Sequence, residues 1–226
     1  MKYRGPNADL DSEAFLAVDL VEGVLTIALN RPQERNAING AMSLAIQRLL
    51  TAVSGDDAVR VVVLRGNGPA FCVGTESVGS SDAAPSFEQL RLLPQPVIAM
   101  VHGQCHGGAV RLIEACDIVF AADDADFSLG GRQAQRNDWV TLSVPASELE
   151  AQTYQLAREL AGKDALALRF TKETLQRVAD VSWDEVLNFT SVKQAELKSL
   201  QAGQPSARAL AVESFLAGKT KPGTGG

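Results

Sequence analysis

Two glycine-rich segments hold the residues best placed for chemistry, Gly66-Asn-Gly-Pro-Ala-Phe-Cys-Val-Gly-Thr75 and His102-Gly-Gln-Cys-His-Gly-Gly-Ala109. Each follows a short apolar run that predicts a strand, Val59–Arg65 and Pro96–Val101 respectively. Ligands of open α/β sheets sit at the carboxyl ends of parallel strands, so two such turns can aim backbone N–H groups at one ligand atom. The second turn runs into a predicted helix at Gly107-Gly108. A helix N-terminus carries unpaired donors and about half a positive charge, which suits an oxygen that becomes anionic. The competing reading is that both glycines only let this helix pack closely on the sheet. The pattern is not a Walker loop, because no Gly-Lys-Ser/Thr follows, and it lacks the G-x-G-x-x-G spacing of a dinucleotide fingerprint.

The side chains nearby that can move a proton are His106, Glu76, Glu114, Asp117 and Cys105. His106 directly precedes the paired glycines, and an unperturbed imidazole pKa of about 6.5 suits proton transfer; a structural role beside the channel is the alternative. Glu114 stands three residues after Arg111 on one predicted helix, which predicts an i,i+3 ion pair. Asp117, at the start of a strand, reads as structural. Cys105 needs a partner such as His102 or His106 to become a thiolate and otherwise reads as a small buried residue.

These segments are held by alternating elements. Strands are predicted at Phe15–Asp19, Val24–Leu29 after the turn Glu22-Gly23, Val59–Arg65, Pro96–Val101 and Ile118–Ala121. Between them lie predicted helices from about Asn39 to Ser54, near Ser86–Leu93 and over Gly107–Ala115. In the first helix Ala45, Ile46, Leu49, Leu50 and Val53 recur at helical spacing behind an Asn39-Gly40 cap. Strands separated by helices imply crossovers and a largely parallel sheet. From Ser147 the pattern is helical, with Leu149–Ala161, Asp164–Val178, Ser182–Ser199 and Ser206–Ala217 punctuated by Gly162, Gly203 and Pro205. The predicted organisation is an N-terminal extension 1–13, a core 14–146, a helical region 147–219 and a tail 220–226.

The 226 residues carry 27 Asp and Glu against 21 Lys and Arg, a net charge of −6 with no basic cluster, which argues against nucleic acid as partner. With 46% hydrophobic and 21% charged residues the chain is expected to fold as a globular protein. Its longest apolar runs are strand-sized, far short of the ~20 residues of a membrane span. Residues Met1–Asp11 lack the apolar core of a signal peptide, so a cytoplasmic location is expected. The three cysteines, Cys72, Cys105 and Cys116, include no CxxC pair and fit reduced thiols; no metal site is expected.

The ordered blocks Val24-Leu-Thr-Ile-Ala-Leu-Asn-Arg-Pro32, Arg35-Asn-Ala-Ile38, Phe71-Cys-Val-Gly-Thr75, Pro96-Val-Ile-Ala, Gly103-x3-Gly107-Gly108 and Ala115-Cys-Asp-Ile118 resemble the crotonase (enoyl-CoA hydratase/isomerase) superfamily. The similarity covers roughly residues 14–128, and the helices over 148–219 resemble that family's trimerisation helices, nearest in flavour to hydroxycinnamoyl-CoA hydratase-lyases. It implies a ββα-spiral α/β core with a C-terminal helical trimerisation region, and a homotrimer or dimer of trimers. The implied ligand is an acyl thioester of coenzyme A or phosphopantetheine, with no cofactor beyond that carrier. Carried over residue by residue, the family's oxyanion hole falls on the backbone N–H groups of Thr75 and Gly108. Two preset donors there would stabilise an enolate oxygen more than the ground-state carbonyl. The same resemblance implies coenzyme contacts at Arg31, Arg35, Asn36, Ala37, Cys72 and Gly74, with Phe215 and Lys219 reaching a neighbour's adenine.

The chain also departs from the family. Hydratases of this family place and deprotonate a water with two glutamates. The first position is Arg111, whose guanidinium is no general base at pH 7. The second follows Phe127-Ser-Leu, where the chain reads Gly130-Gly131-Arg132-Gln133-Ala134. A loop and helix that usually precede a stretch like Ala134–Pro145 are missing, and the cover loop Glu76–Pro85 is short. Three readings therefore stand: a thioester enzyme working through an enolate, of hydratase, isomerase, lyase, hydrolase or decarboxylase type; a crotonase-like thioester-binding or assembly partner that has lost chemistry; and a nucleotide-binding α/β domain unrelated to thioesters.

Overall fold

The computed structural model describes residues 15–76, 87–129, 132–133, 139–178 and 183–202. Strands β1 (Leu16–Val21) and β2 (Val24–Leu29) form an antiparallel hairpin. Its two-residue turn, Glu22-Gly23, has positive φ at both positions, 51° and 79°, the twist that a tight hairpin needs. From β2 onward the main sheet is parallel, through β3 (Val61–Gly66), β4 (Val97–Val101), β6 (Ile118–Ala122) and β9 (Leu142–Val144), in the order β1-β2-β3-β4-β6-β9. Val61–Leu64 and all of β4 are buried, as expected of parallel strands covered on both faces.

A second, smaller sheet consists of β5 (Gln104–His106), β7 (Asp126–Leu129) and β8 (Arg132–Gln133). Single parallel bridges, Cys72 to Cys105 and Ile38 to Thr75, extend it. Each circuit of the chain thus passes from the main sheet to the small one and then into a helix. β2 leads to Ile38 and α1 (Gly40–Ser54); β3 leads to Cys72–Thr75 and, further on, α2 (Glu88–Arg91); β4 leads to β5 and α3 (Gly108–Glu114). That repeat is the ββα spiral.

Helix α1 starts where Asn39 Oδ1 accepts the Met42 N–H at 2.8 Å, and it buries Met42, Ala45, Ile46, Leu49, Leu50 and Val53. Helix α4 (Leu149–Ala161) packs across β2, β3, β4 and β6, and Tyr154 Oη lies 2.8 Å from Thr26 Oγ1 on β2. The chain divides into compact units Met1–Lys172 and Glu173–Gly226. Helix α4, grouped by sequence with the C-terminal helical region, is therefore part of the core unit. In the second unit α6 (Trp183–Leu200) places Lys193 Nζ 3.1 Å from Glu173 Oε2 and 3.0 Å from Glu196 Oε2. The predicted helix at 206–217, the extension 1–13, the tail 220–226, and Phe215 and Lys219 lie outside the described residues.

Helix α5 (Ala165–Val178) begins at Asp164, whose Oδ1 accepts the Ala167 N–H at 2.8 Å. It carries a buried anchor that sequence periodicity does not reveal. Lys172 Nζ lies 2.7 Å from Asp117 Oδ2 and donates to the Gln95 carbonyl at 3.0 Å, while the same carboxylate oxygen accepts the Val97 N–H at 2.8 Å. Burial is the largest influence on both groups, raising the Asp117 carboxyl and lowering the Lys172 ammonium, and each partner's charge opposes that shift. Asp117 is structural. Lys172→Met leaves its carboxylate without a counter-charge and is expected to cost about 3 kcal/mol in chemical denaturation, the low end of the range because Asp117 keeps some exposure.

Candidate active site

Gly103 is the corner at which the chain leaves β4 for β5. Its φ is +55°, and a Cβ there would stand 2.1 Å from the Pro69 carbonyl oxygen. The segment His102–Ala109, read from sequence as one turn, thus contains a short strand between two glycine corners. At the second corner Gly107 has φ 55° and ψ −122°, a conformation essentially reserved for glycine, and its N–H donates to the Ser128 carbonyl at 2.7 Å. The chain then enters α3 at Gly108.

Thr75 reaches the same place from the neighbouring segment. In the Ile38–Thr75 bridge, Ile38 N–H donates to the Gly74 carbonyl at 2.8 Å and Glu76 N–H donates to the Ile38 carbonyl at 2.9 Å. This pairing uses the groups on either side of Thr75, so the Thr75 N–H points away from Ile38. A methyl built on Gly108 would stand 3.5 Å from the Thr75 nitrogen, and one built on Gly74 would stand 3.4 Å from the Gly108 nitrogen. The two amides are neighbours, and neither donates a hydrogen bond to any described residue. Gly74, with φ +112°, supplies the close approach: any side chain there would press on the His106 carbonyl at 3.1 Å.

Cys105 is buried, so Gln104 and His106 on either side of it project to the other face of β5. His106 Nε2 lies 2.8 Å from Asp126 Oδ2 on β7, and Gln104 Oε1 accepts from Arg35 Nη1 at 3.1 Å. Asp126, which sequence reasoning missed, joins His106 only because the β5–β7 register sets Gln104 against Asp126 and His106 against Ser128. His102 Nε2 lies 2.8 Å from the Gly68 carbonyl.

Several other candidates are engaged elsewhere. Asn36 is fully buried in a left-handed conformation, φ 58°; its Oδ1 accepts the Arg31 N–H at 2.9 Å, and its Nδ2 donates to the Asn67 and Ala70 carbonyls at 2.9 and 2.8 Å. Cys72 is likewise buried, and its sulfur accepts the Gly74 N–H at 3.4 Å. Neither side chain is presented to solvent. Arg31 Nη1 donates to the Ala37 carbonyl and to Glu76 Oε1, each at 2.6 Å, which makes Glu76 an ion-pair partner. The ion pair expected between Arg111 and Glu114 is absent: both are exposed, and the ion pairs among the described residues include neither. α3 is only seven residues long, and an exposed i,i+3 pair gains too little to hold two long side chains together.

Burial pushes the Cys72 thiol up to about 11 from an ordinary 9.0 and raises Cys105 and Cys116 further, so none is a nucleophile at neutral pH. A thiol-alkylating reagent at pH 8 is expected to label the three cysteines in the urea-unfolded chain and not in the native one, as read by mass spectrometry. The unfolded chain ionises these thiols while the native chain keeps them protonated. Stability should therefore be full below about pH 9 and fall as pH rises towards 11. Among the described residues no group of three His, Cys, Asp or Glu side chains could hold a metal, and no helix is long and apolar enough to cross a membrane.

Comparison with known proteins agrees with this architecture. The family model for enoyl-CoA hydratase/isomerase matches residues 19–134, a little over half of the chain. Hydroxycinnamoyl-CoA hydratase-lyase of Pseudomonas fluorescens is 28% identical over 262 aligned positions, covering 91% of this chain and 94% of the relative. Only part of a 226-residue chain can fill those positions, so the relative has residues with no counterpart here. Mevalonyl-coenzyme A hydratase of Aspergillus fumigatus is 32% identical over 68% of this chain and 60% of its own length. Mitochondrial Delta(3,5)-Delta(2,4)-dienoyl-CoA isomerase of Mus musculus is 31% identical, and the chain spans about half of each, 54% and 44%. The crystal structure of an enoyl-CoA hydratase of Mycobacterium smegmatis shares the fold, with TM-score 0.78 at 24% identity, over 92% of this chain and 98% of that one. The chain belongs to the enoyl-CoA hydratase/isomerase family of the crotonase superfamily.

Proposed function

We propose that the chain is an enzyme acting on an acyl thioester of coenzyme A or of a phosphopantetheine carrier, and that the Thr75 and Gly108 amides stabilise the carbonyl oxygen as it becomes an enolate. The observation that carries the reading is the pair of neighbouring amides without described acceptors. Withdrawing the α-proton of a thioester moves charge onto the carbonyl oxygen, and donors already in place stabilise that charge without reorganisation. The relatives' names, hydratase-lyase, hydratase and isomerase, all describe conversions of coenzyme A thioesters.

His106 is the proton-transfer group in this reading. With Asp126 ionised, Nε2 carries the proton it shares with Oδ2, which leaves the Nδ1 lone pair as acceptor. His106→Gln is expected to lower turnover by about 10²-fold or more and Asp126→Asn by less, measured as kcat. The coenzyme arm runs past Arg35 and Ala37, and oligomerisation through the C-terminal helices follows the family resemblance.

Simple hydration is the reaction least supported, because Arg111 stands at the first glutamate position and the stretch Gly130-Gly131-Arg132-Gln133-Ala134, where the second is expected, holds no acidic residue. That same observation favours the second reading, a thioester-binding partner without turnover. A panel of crotonyl-, dienoyl-, hydroxycinnamoyl- and malonyl-type coenzyme A thioesters, with calorimetry on a non-hydrolysable acyl thioether, separates the two. Turnover of any member supports the enzyme. Tight binding with no turnover across the panel supports the partner, and failure to bind any thioester better than a free nucleotide ends both.

A further inference from the structure

The Ile38–Thr75 bridge is a single rung, held by two backbone hydrogen bonds. A pairing this short has no cooperative ladder behind it, and each bond contributes only about 1 kcal/mol. Yet it sets the direction of the Thr75 amide. Arg31 spans the rung from outside. One nitrogen, Nη1, donates to the Ala37 carbonyl, just before Ile38, and to the Glu76 carboxylate, just after Thr75, each at 2.6 Å. Hydrogen bonds to charged groups are worth roughly twice neutral ones. The Arg31 backbone is fixed in turn by Asn36 Oδ1, and its side chain is only 15% exposed. Among the described residues the other acidic group facing it is Glu34, 3.9 Å from Nε.

We infer that Arg31 is a positioning residue that staples Ala37 to Glu76 and so holds the Thr75 amide on the thioester oxygen, a role separate from the coenzyme contact that family resemblance implies for this position. The inference rests on the function proposed above. Both hydrogens of Nη1 are committed within the protein, so the staple is made by that nitrogen while Nη2 and Nε remain as the donors a coenzyme phosphate could meet. Glu76, which directly follows Thr75, is by the same geometry the second anchor of the staple.

The test uses acetoacetyl-CoA, whose β-ketothioester gives a near-ultraviolet enolate band when donors stabilise the anion, and coenzyme A itself as a binding probe. In the wild-type protein the band should rise on binding. Arg31→Met should reduce the enolate fraction of the bound ligand by about tenfold at saturating acetoacetyl-CoA, the scale of impairing one donor, whatever it does to coenzyme A affinity. Arg31→Lys, which keeps the charge and can still donate, should restore part of the band. If Arg31→Met fails to fold, Glu76→Gln removes the charge at the other end of the staple and should lower the band in the same direction.

An unchanged enolate band in the folded Arg31→Met protein overturns the inference, with or without weaker coenzyme A binding. So does an unchanged band in Glu76→Gln when that variant has to decide. Absence of the band in the wild-type protein overturns the proposed function instead, which keeps the two failures apart.

Discussion

Gly108→Pro is expected to lower turnover by at least ~10²-fold on whichever thioester the panel shows to be converted, with coenzyme A affinity little changed. Gly108 is the first residue of α3, the helical position at which proline is best tolerated, so the helix survives and the amide hydrogen is lost. Proline also adds a Cβ, which would stand 2.8 Å from Thr75 Cγ2. Gly108→Ala adds that carbon and keeps the N–H, so it is the control. The rate ratio between the alanine and proline variants isolates the donor from the crowding. Equal rates in the two would mean that the Gly108 hydrogen does no chemical work.

Gly103→Ala is expected to have the largest effect on stability, a loss of about 3 kcal/mol or more in chemical denaturation. Its φ of +55° disfavours any side chain, and the new carbon would overlap the Pro69 carbonyl oxygen and sit 3.3 Å from Ala70 Cα. Neither neighbour is a flexible side-chain end, so the backbone itself must shift. The Gly103 carbonyl also accepts the Asp126 N–H at 2.8 Å, so a displaced corner pulls on the residue that pairs with His106. Gly40→Ala provides the contrast. A methyl there meets nothing within 4 Å, and alanine in α1 should be neutral or stabilising by up to about 1 kcal/mol.

The long elements were legible from sequence because their periodicity is local. Ala45, Ile46, Leu49, Leu50 and Val53 mark the buried face of α1, and the apolar runs at Val61 and Val97 mark strands covered on both sides. The small sheet was not legible. β5 is three residues long between two glycine corners, too short for alternation to show, and its existence depends on pairing with β7 across the fold. Of the candidate site, Thr75 and Gly108 were suggested by family resemblance, and in the structure their amides are neighbours. The pairings that assign side chains were hidden for a common reason. His106 with Asp126, Arg31 with Glu76 and Lys172 with Asp117 are each far apart in sequence and joined only by the course of the chain. Where a local rule did predict a pair, Arg111 with Glu114, solvent exposure left it too weak to form.

The most direct measurement is a crystal structure with acetoacetyl-CoA bound. The account predicts that the thioester oxygen lies at about 2.7–3.1 Å from both the Thr75 and the Gly108 nitrogens, as an oxyanion between two donors requires. An oxygen held by side chains elsewhere, or by only one of those nitrogens, would contradict it.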